Sequence, residues 1–444
     1  MRPIFLGLAI LAGCVKGNPI DTKFLGNGGS MAIDGCGYSV TTQMGAEAPI
    51  ASQDLFGADP TPRLVHLGVI GDPKTSVVVQ WRTADEVTRA STIRWAQGAN
   101  LTADQLTQTT SGIHFAYTGT ACAVGGPTCP YRQHQAHLCG LQPGTTYSYQ
   151  VGGHDPETGA DHFSPVYTFH TAPDLTADPA ASIVAGFVGD CRGGYDVWQQ
   201  FVNQYTTMSL NTPDVILFSG DAVTVGITQP EWEEFLGEGE PLFATTQIIF
   251  ADGNHEDNAV NFLSQFAQPG DQENFGMDWG YAHITVANDT PEDPSAITGA
   301  NHDLLAQDLA ASANATWKIV MHHQPMWSSS TSHGSNVMLQ AAWQPLIDQY
   351  HVDLVLNGHD HDFEVTLPIV GMAPTVQPTN ATGTVYVVGG GGGAELYPNG
   401  SHAWTACSES NYEASVIHIS QSKLELDAFH TDGTAAPCGF MKTK

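Results

Sequence analysis

SIVAGFVGD, at residues 182–190, is an apolar run with a β-strand composition that ends in a glycine and an aspartate. Similar runs recur along the second half of the chain, at 214–221 (DVILFSGD), 246–254 (TQIIFADGN), 317–323 (WKIVMHH), 352–359 (VDLVLNGH) and 383–390 (GTVYVVGG). Helical patterns separate them, at Tyr195–Met208, Glu231–Leu236, His302–Ala311 and Val337–Tyr350. Alternating strands and helices predict a layered α/β domain.

Residue types that bind metals follow four of these runs. Asp190, Asp221 and Asn254 each come directly after a glycine, and His359 and His361 follow Gly358. Side chains at the carboxyl ends of neighbouring strands meet in one crevice of an α/β sheet. We therefore expect these groups, with a histidine of HHQPMW at 322–327, to form a metal centre. Oxygen and imidazole donors favour Zn, Fe or Mn over Ca²⁺ or Cu(I).

The charge balance limits the possible partners. The chain has 444 residues, with 45 acidic side chains against 14 Lys and Arg, and a formal charge of −31. Nucleic acids are bound through clustered cations, so this composition argues against nucleic acid as a bulk partner. A phosphate substrate would need strong local positive charge, which bound metal ions supply.

The N-terminal sequence indicates export. MRPIFLGLAILAGC has one arginine followed by a short apolar run, which is the pattern of a signal peptide and too short for a membrane span. Leu11-Ala12-Gly13-Cys14 resembles a bacterial lipobox. It predicts a signal peptide at 1–13 and a lipidated Cys14 that anchors a periplasmic or cell-surface protein; the alternative is an ordinary cleaved signal with a chance cysteine.

Export permits disulfides, and seven cysteines remain after Cys14. Cys122 and Cys129 bracket a turn-rich loop and are expected to pair. Cys407 and Cys438 form a second candidate pair, and Cys191 is expected to be a buried thiol. A zinc knuckle is the alternative, although no second close pair has the required spacing.

Composition divides the chain into segments. Residues 14–62 are rich in small residues and predict a flexible spacer. Residues 63–173 contain strand-like runs such as SVVVQWRT (76–83) and predict an all-β sandwich. A proline-containing linker follows, then the α/β domain at 183–430 and a C-terminal tail at 431–444. Thr228-Gln229-Pro230-Glu231 predicts a helical capping box.

The motifs carry a family resemblance. GNHE (253–256), His-x-Pro within 322–327 and GHDH (358–361) occur in this order, and residues from Ala181 to about His430 resemble the calcineurin-like metallophosphoesterases, closest to the purple acid phosphatase branch. Residues 63–173 resemble the fibronectin type III-like N-terminal domain of that branch.

The resemblance implies two metal ions bridged by Asp221. One ion would also bind Asp190 and His361, and the other Asn254, His323 and His359. The family pattern His-x-Pro-x-aromatic selects His323 over His322, which becomes a core or supporting histidine. The implied reaction is attack on a phosphate ester by a hydroxide held between the ions.

Three positions depart from the family pattern. Thr224 stands where purple enzymes have a tyrosine ligand, so the iron–tyrosinate colour should be absent. Arg192 replaces a glycine or histidine, and would either clamp a phosphate or form a salt bridge. Val365 replaces an arginine.

Two histidines are candidates for catalysis. His255, next to Asn254, is the preferred general acid or phosphate donor. His333, in the loop SSSTSHGSN, occupies a position where related plant enzymes carry a substrate histidine, or it is an exposed loop residue.

The predicted function is an exported, lipid-anchored phosphomonoesterase, similar to acid phosphatases, that acts on small phosphate esters. Two alternatives stay open. One is a phosphodiesterase or nucleotidase on the same centre, and the other is a non-catalytic surface-binding lipoprotein. The sequence leaves the natural substrate, the metal pair and the oligomeric state undetermined.

Overall fold

A computed structural model of the chain describes residues 25–43, 45–47, 59–84, 91–117, 119–154, 158–207, 212–290, 293–374 and 382–444. The predicted signal peptide at 1–13 and the lipidation site Cys14 lie outside the described residues. Within the described part of the chain, no helix is both long and apolar enough to cross a membrane.

The N-terminal part is built from strands. They are β1 (Ser30–Ala32), β2 (Ser39–Thr41), β3 (Ala46–Glu47), β4 (Arg63–Gly68), β5 (Ser76–Arg82), β6 (Thr92–Gln97), β7 (Gln108–Ser111), β8 (Ile113–Tyr117), β9 (Tyr131–Cys139), β10 (Thr146–His154), β11 (Asp161–Phe163) and β12 (Tyr167–His170). Val77, Val79 and Trp81 of β5 pack against Tyr147 and Tyr149 of β10. This alternation places every second side chain between two sheets, which confirms the predicted β-sandwich.

The spacer prediction for 14–62 is wrong for its described part. Strands β1, β2 and β3 lie there, and Val40 and Ala46 are buried against Phe115. A disulfide joins Cys36 to Cys139, 103 residues away in the chain. Short strands with small side chains have no detectable periodicity, so the sequence does not show this packing.

The C-terminal part alternates strands and helices. Its strands are β13 (Ile183–Val188), β14 (Val215–Phe218), β15 (Gln247–Phe250), β16 (Phe275–Trp279), β17 (Ala282–Val286), β18 (Trp317–Met321), β19 (Leu354–Asn357), β20 (Phe363–Thr366), β21 (Ile369–Val370), β22 (Ala373–Pro374), β23 (Val385–Gly389), β24 (Thr405–Glu409), β25 (Glu413–Ile419), β26 (Lys423–His430) and β27 (Ala435–Thr443). Its helices are α1 (Tyr195–Thr207), α2 (Gln229–Phe243), α3 (Val260–Gln265), α4 (Pro294–Ile297), α5 (Ala300–Ala311) and α6 (Val337–Gln349).

Two sheets face each other in this part. One has the order β27-β26-β25-β13-β14-β15-β4-β5-β9-β8-β3, and the other β16-β17-β18-β19-β23-β20-β24. Apolar side chains from both sheets form the central core, including Phe187, Leu217, Ile319 and Leu356. Aromatic residues of α1 and α2 cover the outer face of the first sheet, and α4 to α6 cover the second. This layered α/β sandwich confirms the predicted fold class.

The first sheet runs through both parts of the chain. Strand β15 pairs in parallel with β4, where Gln247 lies opposite Leu67. The N-terminal sandwich therefore continues the sheet that carries Asp190 and Asp221.

The prediction of a C-terminal tail at 431–444 is wrong. Strand β27 pairs with β26 at the edge of the first sheet, and Cys438 is 1% exposed and bonded to Cys407. Only one residue of β27 is buried, so its sequence pattern is weak. The disulfides Cys122–Cys129 and Cys407–Cys438 are both confirmed, and Cys191 is a buried free thiol.

Candidate metal centre

The parallel strands bring the predicted donors to one edge of the sandwich. Strands β13, β14 and β15 are adjacent and parallel, and the loops after them carry Asp190, Asp221 and Asn254. Strands β18 and β19 are neighbours in the facing sheet, and the loops after them carry His323 and the GHDH segment at 358–361. In each sheet, the carboxyl ends of the parallel strands lie at the same edge. The donors from both sheets therefore meet at one edge of the sandwich.

The turns that present the donors are left-handed. Asp190, Asp221 and His359 have φ values of 59°, 57° and 71°. Non-glycine residues adopt this region at an energetic cost and cluster at functional sites when they do. Gly220, with φ +101°, precedes Asp221; a Cβ there would lie 2.7 Å from Nδ1 of His323. The glycine before the aspartate is therefore required both for the turn and for the close approach of the histidine.

The six predicted donors form two groups that share one carboxylate. Donor atoms of Asp221, His323 and His359 lie within 4.8 Å of one another, and so do those of Asp190, Asp221 and His361. Oδ1 of Asn254 belongs to the first group, at 3.0 Å from Nε2 of His323 and 2.8 Å from Nδ1 of His359. This is the arrangement required if Asp221 bridges two ions. The assignment of each side chain as a metal ligand stays a prediction.

Backbone carbonyls orient two of the histidines. Nδ1–H of His323 donates to the carbonyl of Ser219 at 2.7 Å, and Nδ1–H of His361 donates to the carbonyl of Glu395 at 2.7 Å. Each ring thereby directs Nε2 toward the carboxylates, at 3.3 Å from Asp221 and 3.7 Å from Asp190 respectively. Metal-binding histidines typically make this second hydrogen bond, which fixes the tautomer and the ring orientation.

The electrostatics of the carboxylates show a shortage of positive charge. Burial, together with the charge of Asp221, raises the pKa of Asp190 well above its usual range. Burial also acts on Asp221, but the neighbouring His323 outweighs it and holds the pKa of Asp221 below its usual range. Two adjacent buried carboxylates cannot both ionise without a nearby cation. Their arrangement therefore fits a site for metal ions.

Two of the histidines are held in the neutral form. Burial, and then the charge of His323, lower the pKa of His359 to about 2. Burial also lowers the pKa of His361 to about 4, with Arg192 contributing. A neutral imidazole is the form that binds metal ions. The donor set of carboxylate, amide and imidazole groups therefore suits Zn, Fe or Mn ions.

His322 lies outside the two groups. Its side chain is fully buried, its Nδ1 is 2.9 Å from Oδ2 of Asp289, and its ring packs edge-on against Trp343. Side chains of successive residues alternate in direction along an extended chain. The adjacent His323, which continues from strand β18, therefore points in the opposite direction to His322.

Glu256 has a structural role that the sequence left undefined. Its buried carboxylate accepts hydrogen bonds from the backbone N–H groups of Asp221 at 2.7 Å, Ala222 at 2.9 Å and Gly253 at 3.0 Å. It therefore holds the loops of Asp221 and Asn254 together. Asp257 is exposed, whereas Asp360 is buried and accepts a hydrogen bond from Gly334.

Arg192 and the two catalytic candidates border the centre. Nε of Arg192 lies 3.3 Å from Oδ2 of Asp221. His255 donates from Nδ1–H to the carbonyl of Thr224 at 2.6 Å, which leaves its Nε2 3.7 Å from the same carboxylate oxygen. His333 is 46% exposed, and its ring centroid is 4.4 Å from that of His359.

Tyr397 was not predicted at all. Its ring stacks on His361 with centroids 4.0 Å apart, and its backbone N–H donates to the carbonyl of His361. Tyr397 belongs to a loop without a recognisable motif, so no sequence signal points to it. A cleft of about 310 Å³ opens on the side of His255, lined by Thr224 to Ile227 and Asn254 to Asp257.

Comparison with known proteins agrees with this architecture. Residues 183–363 match the calcineurin-like phosphoesterase family, and residues 62–171 match the purple acid phosphatase N-terminal domain. The sequence of a probable inactive purple acid phosphatase 1 of Arabidopsis thaliana is 26% identical over 59% of this chain and 49% of that protein. Purple acid phosphatase 18 of the same plant is 23% identical over 85% and 82% of the two chains.

A solved structure has the same fold. The purple acid phosphatase from yellow lupin (Lupinus luteus) seeds superposes with a TM-score of 0.75 at 19% identity, over 86% of this chain and 74% of that one. The chain spans about half the length of the curated relatives that it matches first. The two domain matches and the shared fold identify the chain as a calcineurin-like metallophosphoesterase with a purple acid phosphatase N-terminal domain.

Proposed function

We propose that the protein is a dinuclear-metal phosphatase that hydrolyses small phosphate monoesters. The observation that carries the proposal is the pair of donor groups that share Asp221 at one edge of the sandwich. Asp190, Asp221, Asn254, His323, His359 and His361 would hold two Zn, Fe or Mn ions, which would supply Lewis-acid charge to the phosphoryl oxygens and lower the pKa of bound water.

The protein residues around the donors provide the remaining chemistry. The hydrogen bond from His255 to Thr224 holds the ring with Nε2 3.7 Å from Asp221, and His255 also lines the adjoining cleft. A protonated His255 would therefore deliver a proton to the leaving alcohol. Arg192, with a side chain 20% exposed, adds a permanent positive charge beside Asp221 and can donate two hydrogen bonds to a phosphate.

The proposed preference for monoesters can be tested by comparing a phosphate monoester with a diester, which differ in charge. A phosphate monoester is a dianion, whereas a diester is a monoanion. Arg192 should therefore bind the monoester more strongly than the diester. We therefore expect faster hydrolysis of p-nitrophenyl phosphate than of its bis ester. In Arg192→Ala, KM for the monoester should rise about 10-fold or more, because hydrogen bonds to charged groups contribute about 1.5–3 kcal/mol, and KM for the bis ester should change less.

Arg94→Ala is the matched control, since Arg94 pairs with Asp161 on the N-terminal sandwich. Exclusive hydrolysis of the bis ester would replace the monoesterase with a phosphodiesterase. A metal-free protein that hydrolyses neither ester would instead support the non-catalytic alternative.

We also propose that the protein is exported and anchored through Cys14. Three disulfides among the described residues support an oxidising compartment. In bacterial cells, Cys14→Ser should move the protein from the membrane fraction to the soluble fraction. An unchanged distribution would contradict the lipid anchor.

A further inference from the structure

A second cluster of metal-binding side chains lies between the two sheets. Glu409 is the last residue of β24, Glu413 is the first of β25, and His430 is the last of β26. We call these three residues the inter-sheet triad. Strand β24 belongs to the second sheet, whereas β25 and β26 belong to the first. None of the three residues is a donor of the centre described above.

The donor atoms of the triad converge. One ligand atom from each residue lies within 4.8 Å of the other two. Nε2 of His430 is 3.4 Å from Oε1 of Glu409 and 3.7 Å from Oε1 of Glu413. Glu413 has 0% exposure, so water cannot solvate its carboxylate freely.

Among the described residues, the surrounding hydrogen bonds leave the inward atoms of the triad without partners outside the triad. Oγ1–H of Thr434 donates to Asp432, so Oγ1 is an acceptor for Nδ1–H of His430 at 3.2 Å. In the neutral imidazole, this hydrogen bond directs the lone pair of Nε2 at the two carboxylates. Within the described residues, Nε2 of His430, both carboxylate oxygens of Glu413 and Oε2 of Glu409 have no hydrogen-bond partner outside the triad. Oε1 of Glu409 accepts from Nδ2 of Asn411 at 3.0 Å.

Among the described residues, no Lys or Arg balances this charge. Glu409 and Glu413 both contact the imidazole of His430, and neither glutamate forms an ion pair with Lys or Arg. Removing an uncompensated carboxylate from water is energetically unfavourable. A lone pair and two carboxylates that face one another need either a proton or a cation between them.

We propose that the inter-sheet triad binds one divalent metal ion of the zinc class, separate from the two ions of the catalytic centre. One imidazole and two carboxylates form a set of three protein ligands that suits Zn²⁺. Ca²⁺ prefers six to eight oxygen ligands and is disfavoured by the histidine. This inference does not depend on the proposed phosphatase activity.

The ion would have a structural role. Cys407, two residues before Glu409, forms a disulfide with Cys438 of β27, so the same two sheets are already joined at this place. A metal at the triad would join β24 to β25 and β26 in the same way. Metal binding that requires the folded arrangement stabilises the fold.

Metal counting on the purified full-length protein tests the proposal. After dialysis against Zn²⁺, elemental analysis should find one fewer zinc ion per chain in Glu413→Gln than in the wild type. Zinc should also raise the melting temperature of the variant less than that of the wild type. Asp427→Asn is the control, since the exposed Asp427 on β26 lies 3.7 Å from His418, and among the described residues this pair belongs to no group of three metal-binding side chains; its zinc count should equal that of the wild type.

A proton is the rival occupant. Burial, and then a hydrogen bond shared with Glu409, raise the pKa of Glu413 to about 9, and glutamine mimics a protonated glutamate. Equal zinc counts in the wild type and Glu413→Gln would therefore overturn the metal site and indicate a shared proton. If Glu413→Gln does not fold, His430→Asn decides, because His430 is 22% exposed and tolerates substitution better. Loss of one zinc ion supports the site, and an unchanged count overturns it.

Discussion

Asp221→Asn should lower kcat/KM for p-nitrophenyl phosphate by about 10³-fold or more, which corresponds to at least about 4 kcal/mol of transition-state stabilisation. Asp221 is the one donor that belongs to both groups of the centre, and its pKa is held below the usual range, so it carries a full negative charge. Asparagine removes that charge and one of the two donor oxygens. The variant should also retain fewer metal ions than the wild type when both are analysed after the same dialysis.

The substitution is expected to leave the fold intact. Asparagine tolerates the left-handed conformation that Asp221 adopts. Its amide oxygen still accepts the hydrogen bond that Oδ1 of Asp221 receives from the backbone of His255. Asp214→Asn is the control, because Asp214 lies at the opposite end of β14 and accepts a hydrogen bond from Val184. Near-normal activity with a full metal content in Asp221→Asn would refute the bridging role.

The centre could be predicted because its signals are local. Each donor follows an apolar strand and a glycine, and parallel strands necessarily end at the same edge. Donor atoms of Asp190, Asp221 and His361, which the family resemblance implied as ligands of one ion, lie within 4.8 Å of one another. Sequence alone did not show that Glu256 is the acceptor that holds two of these loops, because a buried and an exposed glutamate look identical in a motif.

The inter-sheet triad could not be predicted for the opposite reason. Glu409, Glu413 and His430 lie on antiparallel strands of two different sheets, and no fixed spacing relates them. Their proximity depends on the packing of the sheets. Tyr397 is a similar case, since only the folded loop brings it onto His361.

The helix boundaries show how local signals can mislead. The predicted helix at Glu231–Leu236 is α2, which extends over Gln229–Phe243 despite Pro241 in its interior. The predicted capping box is also wrong: the side chain of Thr228 makes no capping hydrogen bond, and the carboxylate of Glu231 accepts from the backbone of Thr224. Burial of the aromatic face of α2 against the sheet outweighs the local effect of proline.

His255→Asn should have the second largest effect, and the effect should depend on the leaving group. General acid catalysis contributes about 10²–10⁴-fold. We expect kcat for an alkyl phosphate, such as glycerol phosphate, to fall by about 10²-fold or more. The nitrophenolate of p-nitrophenyl phosphate leaves without a proton, so its hydrolysis should fall much less. Metal content should stay at the wild-type level, because His255 belongs to neither donor group.

His333→Asn is the matched control for this comparison. His333 is more exposed than His255, at 46% against 27%, and its Nδ1 lies 3.2 Å from Asp360. If His333 only contacts the substrate, its replacement should change KM for both esters to a similar extent. The opposite result would assign the role of proton donor to His333. In that case His255→Asn would lower kcat equally for the two esters, and His333→Asn would lower kcat more for the alkyl phosphate. The ratio of the two kcat values therefore assigns the acid independently of any effect on substrate binding.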